Sequence, residues 1–88
     1  MAGKIVLFQF RLASDRSVSP RQLREIWSLA SNSAKVSVSR TPRLVGAGFT
    51  YSLSGPSDMP NIAAVESRLR ILLDKYVEGA AITLARMH

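Results

Sequence analysis

The spacing of apolar and polar residues changes several times along the chain, and each change predicts a new element. Residues 4–12 are rich in β-branched and aromatic types, which predicts a first strand. Residues 35–39 alternate strictly between polar and apolar, which predicts a half-exposed second strand. The same alternation over residues 44–54 predicts a third strand, and the apolar run over residues 80–87 predicts a fourth.

Two segments between these strands instead have the spacing of three and four residues that places apolar side chains on one helix face. The first helix is predicted to begin at Ser19, which can cap it, with Pro20 at the first helical position and Gln22 completing a capping box. It should end within residues 31–33. Its predicted apolar face consists of Leu23, Ile26, Trp27 and Ala30.

The second helix has the most regular pattern in the chain. Asp58 is its predicted cap, Pro60 lies in its predicted first turn, and Gly79 is expected to stop it. Its apolar face consists of Ile62, Val65, Leu69, Leu72 and Tyr76. Residues 13–18 and 55–58 are predicted loops, and residues 40–43 are a predicted turn centred on Pro42.

The element order β-α-β-β-α-β predicts the fold class. It is typical of an α+β, ferredoxin-like split βαβ sandwich, with a four-stranded antiparallel sheet and both helices on one face. The handedness rule for such units favours the strand order 4-1-3-2. At 88 residues the chain has room for one such domain, spanning residues 1–88.

Strand alternation also assigns the two faces of this sheet. The apolar rows are expected to face the helices: Val6, Phe8, Phe10 and Leu12; Val36 and Val38; Val45, Ala47, Phe49, Tyr51 and Leu53; Ile82 and Leu84. The opposite face should then be small, flat and almost uncharged. That pattern predicts self-association through Ile5, Leu7, Gln9, Gly48, Thr50, Ser52 and Thr83, and an ordinary solvated face is the alternative.

The distribution of charged residues predicts a second surface for a partner. Twelve basic residues, nine of them arginine, face six acidic residues, for a net charge of +6, which favours an acidic partner. In the predicted topology, one end of the domain collects the end of the first strand, the start of the first helix and the turn after the second strand. We call its six arginines the Arg-rich end: Arg11, Arg16, Arg21, Arg24, Arg40 and Arg43. Only Asp15 and Glu25 oppose them, and the positive end of the first helix adds to the field.

The sequence offers little for catalysis. It contains no cysteine, and its single histidine, His88, ends the chain and is expected to be solvated. The acidic residues do not have the spacing of a metal site or of paired catalytic carboxylates. We therefore predict no enzyme activity, no cofactor and no metal. No apolar run is long enough to span a membrane, and the absence of cysteine fits a cytoplasmic protein.

Three families provide comparisons at the level of short motifs. Gly48-Phe49-Thr50-Tyr51 resembles the Gly-Phe-Gly-Phe core of RNA-recognition domains, but both aromatics belong to the row expected inside. Acylphosphatase-like chemistry needs a Gly-rich phosphate loop after the first strand, and residues 12–19 contain no glycine. The first strand, residues 4–11, resembles that of dimeric α+β barrel proteins, which adds weight to a dimer formed through the sheet face.

These observations predict a non-catalytic binding or adaptor module. Its Arg-rich end is expected to dock an acidic partner, either protein or nucleic acid, and its sheet face is expected to form a homodimer. One alternative is a sequence-independent nucleic-acid-binding protein that contacts phosphates. Another is a small enzyme of the dimeric α+β barrel type.

Overall fold

A computed structural model describes residues 3–13, 15–43 and 48–87. The predicted rows at Val45 and Ala47, and the terminal His88, lie outside these residues. The elements follow the predicted order: β1 (Lys4–Leu12), α1 (Pro20–Ser31), β2 (Ser37–Pro42), β3 (Phe49–Pro56), α2 (Ile62–Tyr76), a 3₁₀ turn (Ala81–Thr83) and β4 (Ala85–Arg86). The strands form one antiparallel sheet in the order β2-β3-β1-β4, so the predicted fold class and strand order are confirmed.

The beginnings of the two helices differ from each other. At α1 the Ser19 hydroxyl accepts a hydrogen bond from the Gln22 backbone N–H at 3.1 Å, which confirms Ser19 as the cap. The described residues show no return bond from the Gln22 side chain, so the predicted capping box is only half formed. At α2 the predicted cap was wrong. Asn61, with φ of 53°, occupies the cap position, because β3 continues to Pro56 and Asp58 lies in the turn that follows it.

Two strand predictions were also wrong. The segment predicted as a turn, residues 40–43, mostly belongs to β2, whose pairing with β3 continues to Pro42. Proline is tolerated there because β2 is an edge strand, where a backbone nitrogen facing away from the sheet loses no ladder bond. The predicted last strand shrinks to two residues, since Ala81–Thr83 form the 3₁₀ turn. Ile82, predicted inside, is consequently 88% exposed.

A β-bulge at Leu7 reverses the predicted faces of the first half of β1. Val6 is opposite Ser54 and Phe8 is opposite Leu53, so Leu7 is the extra residue on its strand. Leu7 and Phe8 therefore both face the helices, and Leu7 is only 3% exposed. The alternation before the bulge is inverted as a result, so that Val6 shares a face with Ser54.

The core lies between the sheet and the two helices and is dominated by aromatic side chains. Trp27 of α1 is fully buried, packs edge-to-face on Phe8 and donates its indole N–H to the Ser54 carbonyl at 2.9 Å. Phe10 stacks on Tyr51 with a centroid separation of 5.0 Å. Phe8, Phe10 and Tyr51 thus lie inside, where they cannot stack on nucleic-acid bases, while Phe49 is half-buried and packs against this core.

Candidate partner-binding groove

The six arginines of the Arg-rich end belong to elements that meet at one end of the fold, but their side chains contact different surroundings. Arg16 pairs with Glu78, just beyond α2, at 3.1 Å. Arg40 lies over the Phe49 ring, 4.4 Å from its centroid. Arg11 is opposite Thr50 on the sheet face away from the helices, and Arg43 donates its backbone N–H to the Gly48 carbonyl. Arg21 and Arg24 line a groove between α1 and β2.

This α1–β2 groove has a volume of about 980 Å³. Its walls combine polar and charged side chains of α1 with apolar side chains from α1 and β2. Leu29 of α1 is 67% exposed there, next to Val36 and Val38. The groove is lined by Lys4, Pro20, Arg21, Arg24, Glu25, Ser28, Leu29, Ala34, Val36, Ser37 and Val38.

Three cations therefore line the groove against a single acid, Glu25. Within the described part of the chain, the ion pairs are Arg16–Glu78, Arg70–Glu66 and Arg86–Glu66, so none involves Lys4, Arg21 or Arg24. The groove thus carries positive charge that its own fold does not compensate. Sequence reasoning identified the two arginines, but it missed Lys4, which only the tertiary structure brings to the same groove.

The basic residues near α2 are used differently. Arg68 donates to the Ala30 carbonyl at 3.0 Å and so ties α2 to α1. Arg70 donates to the Ala81 carbonyl at 3.0 Å and to the Glu66 carboxylate at 3.2 Å. Lys75 lies 5.3 Å from the centre of the Tyr76 ring. Most of the basic side chains on this side of the molecule are therefore engaged in intramolecular contacts.

The start of α1 offers fewer backbone donors than the sequence suggested. Pro20 has no N–H, the Gln22 N–H bonds to Ser19 Oγ, and the Leu23 N–H bonds to the Ser19 carbonyl. Among the described residues, the Arg21 N–H is the one N–H of the first turn for which no bond is found. The start of α1 therefore lacks the several free backbone N–H groups that bind a phosphate at a helix N-terminus.

The sheet face away from the helices, which we call the open face, keeps only part of its predicted residue set. Gln9, Thr50 and Ser52 lie on it, and Gln9 Nε2 donates to Ser52 Oγ at 3.1 Å. Placing Ile5 and Leu7 there was wrong, because the bulge turns both towards the core.

The two other predicted members of the open face have structural roles elsewhere. Gly48 has a φ of 104°, and a Cβ at this position would collide with the Leu12 carbonyl oxygen. Thr83 lies in the 3₁₀ turn beside the edge of β1, not on a strand. The apolar character of the predicted self-association face is reduced accordingly, with Val6 taking the place of Ile5 and Leu7.

The described residues contain no cluster of three metal-ligating side chains, and none of their helices is long and apolar enough to cross a membrane. Comparison with protein-family models, with curated proteins and with solved structures gives no match for this chain. The geometry of the groove and of the open face is therefore the basis for any functional assignment.

Proposed function

We propose that this chain is a non-catalytic binding module whose α1–β2 groove docks an acidic partner. The observation that carries the proposal is the uncompensated charge of Lys4, Arg21 and Arg24 in one groove. Arginine and lysine side chains without an internal partner are available for charge-assisted hydrogen bonds to carboxylates. The net charge of +6 attracts an acidic partner from a distance and speeds its association.

The composition of the groove favours a protein partner over a nucleic acid. Exposed Leu29 and the neighbouring Val38 provide apolar surface beside the cations, which suits a partner that carries both apolar and acidic side chains on one face. Such apolar surface would not contribute to binding a charged phosphate backbone. Phe10 and Tyr51 are buried, and within the described residues the Arg21 N–H is the one N–H in the first turn of α1 for which no bond is found.

The proposal is tested by removing the two arginines together in Arg21→Ala/Arg24→Ala. Alanine is the best helix former, so α1 should be retained. At about 0.5–1 kcal/mol for each exposed ion pair, binding to poly-L-glutamate should weaken roughly five- to thirtyfold. Fluorescence anisotropy with labelled poly-L-glutamate measures this loss at about 0.15 M salt, where the Debye length is about 8 Å.

A matched control removes the same charge on the α2 side, in Lys75→Ala/Arg86→Ala. Its affinity for poly-L-glutamate should stay within about twofold of the unaltered chain, because screening limits exposed charges to short range. Equal losses in both variants would show that net charge alone binds the polyanion. Tighter, arginine-dependent binding of duplex DNA would favour the nucleic-acid alternative.

We also propose that the open face supports self-association, with a homodimer as the expected state. The support is its near absence of charge: the central row of the sheet consists of Ser39, Ser52, Gln9 and Ala85, and Arg11 lies in the next row. Small uncharged side chains let two sheets approach closely. A cytoplasmic location stays a prediction from the composition.

Thr50→Arg tests this second proposal, because it places a new cation opposite Arg11 on the open face. Two such faces would then repel each other, and light scattering should show a shift from dimer to monomer. Ile71→Arg, at an exposed position of α2 on the helix side of the sheet, is the control for the same single added charge. An unchanged molar mass for Thr50→Arg would contradict assembly through this face.

A further inference from the structure

The outer edge of β2 bears backbone groups that the sheet does not use. β2 is the first strand in the order β2-β3-β1-β4, so among the described strands it pairs with β3 alone. The Arg43 N–H bonds to the Gly48 carbonyl, which sets the phase of the antiparallel ladder. In that phase Thr41 and Ser39 bond to β3, while Val38 and Arg40 direct their N–H and C=O groups outward. No hydrogen bond to these outward groups is found within residues 3–13, 15–43 and 48–87.

The same edge forms one wall of the α1–β2 groove. Val38 is half-buried at its base, and the exposed Leu29 of α1 stands across from it. Pro42 limits the usable edge, because its outward-facing nitrogen carries no hydrogen. The unpaired edge therefore coincides with the stretch of groove that also holds apolar surface and uncompensated positive charge.

We propose that an extended acidic peptide segment adds to the outer edge of β2 as a fifth strand and lies in the α1–β2 groove. This inference rests on the proposed function and specifies its partner and binding mode. Strand addition provides main-chain hydrogen bonds to Val38 and Arg40, while the side chains of the added strand provide specificity. Alternate residues of that strand face α1, so its apolar side chains cover Leu29 and its carboxylates reach Arg21 and Arg24.

Charge complementarity decides between possible occupants. A second copy of this chain would bring the same basic groove and the same Arg40 to the edge, and like charges across a strand pair are destabilising. An acidic segment removes that repulsion and neutralises the groove. The occupant is therefore an acidic strand from another molecule.

The test uses a short synthetic peptide in which every second residue is Thr and the residues between them are Glu and Val in turn, so that one face of the strand carries both carboxylates and apolar side chains. Two further versions of this peptide are N-methylated at every second residue. N-methylation removes backbone donors from one edge of the peptide but keeps its charge and side chains. One of these peptides is methylated at its odd-numbered residues and the other at its even-numbered residues. The backbone donors that face β2 are therefore removed in one of the two. We expect that peptide to bind at least about tenfold more weakly than the unmodified one.

Amide hydrogen exchange locates the bound strand. Peptide binding should slow exchange at the Val38 and Arg40 amides, which face outward, and leave the already bonded Ser39 and Thr41 amides nearly unchanged. Val38→Pro removes one outward donor without touching the β2–β3 ladder and should weaken the unmodified peptide severalfold. A nitrogen-15 NMR spectrum of the variant verifies that the sheet is intact.

The outcomes separate this inference from the proposed function. Equal affinity of all three peptides, with loss of binding in Arg21→Ala/Arg24→Ala, would overturn strand addition and leave an acidic-partner groove in place. Binding that depends on neither the arginines nor the methyl groups would overturn both. Protection of Val38 and Arg40 by a single-stranded DNA, but not by the peptide, would also overturn the inference.

Discussion

At the scale of single residues, Leu7 has the largest effect on how the sheet faces are arranged. Strict alternation would place Leu7 and Phe8 on different faces of the sheet, but the bulge lets both large side chains enter the core. A Cβ added at Gly55 would lie 3.3 Å from Leu7 Cδ1 and 2.8 Å from Met59 Cε, which confirms that Leu7 fills this side of the sheet. Burying a leucine side chain gains about 1.5–3 kcal/mol, a stabilisation that the exposed position would lack.

The buried position of Leu7 predicts that Leu7→Ala destabilises the fold more than Val6→Ala does. Strict alternation along β1 would predict the reverse. Leu7→Ala should lower the free energy of unfolding by about 2–5 kcal/mol, because it leaves a cavity beside Gly55. Val6→Ala, on the partly exposed face, should cost less than about 1 kcal/mol. Urea denaturation followed by fluorescence of Trp27, the single tryptophan of the chain, measures both. A larger loss for Val6→Ala would contradict the bulge.

At the scale of elements, the segment after α2 contacts the edge of β1 through a side chain where a longer β4 would have paired with its backbone. The Thr83 hydroxyl accepts a hydrogen bond from the Arg11 N–H at 2.8 Å and donates one to the Arg11 carbonyl at 2.9 Å. These are the two bonds that a paired strand residue would provide to the edge of β1. β4 consequently needs only two residues, opposite Phe8 and Gln9, to continue the edge.

Thr83→Val keeps the β-branched shape and removes the hydroxyl. Since Arg11 is exposed, water can replace part of the lost hydrogen bonding, so we expect a loss of about 1–2 kcal/mol of unfolding free energy. Thr41→Val is the matched control, because Thr41 is exposed on β2 and no hydrogen bond of its side chain is found in the described ranges. Thermal unfolding by circular dichroism should therefore show a lower Tm for Thr83→Val alone.

At the scale of the whole molecule, the fold separates the basic residues into two groups. Contacts of Arg16, Arg68 and Arg70 hold the α2 side of the domain together. Lys4, Arg21 and Arg24 line the α1–β2 groove, where Glu25 is the single acid. The arginines of the Arg-rich end therefore have different surroundings, and two of them join Lys4 in the groove that we propose as the docking site.

The sequence by itself determined the element order, because hydrophobic periodicity and helix signals such as Ser19 and Pro20 act locally. The handedness rule for split βαβ units then selected the strand order that the structure has. It also placed Trp27, Phe10 and Tyr51 correctly inside. Only the tertiary structure decided the bulge at Leu7, the 3₁₀ turn at Thr83 and the joining of Lys4 to the groove. Each of these depends on contacts between residues far apart in the chain, which local spacing does not encode.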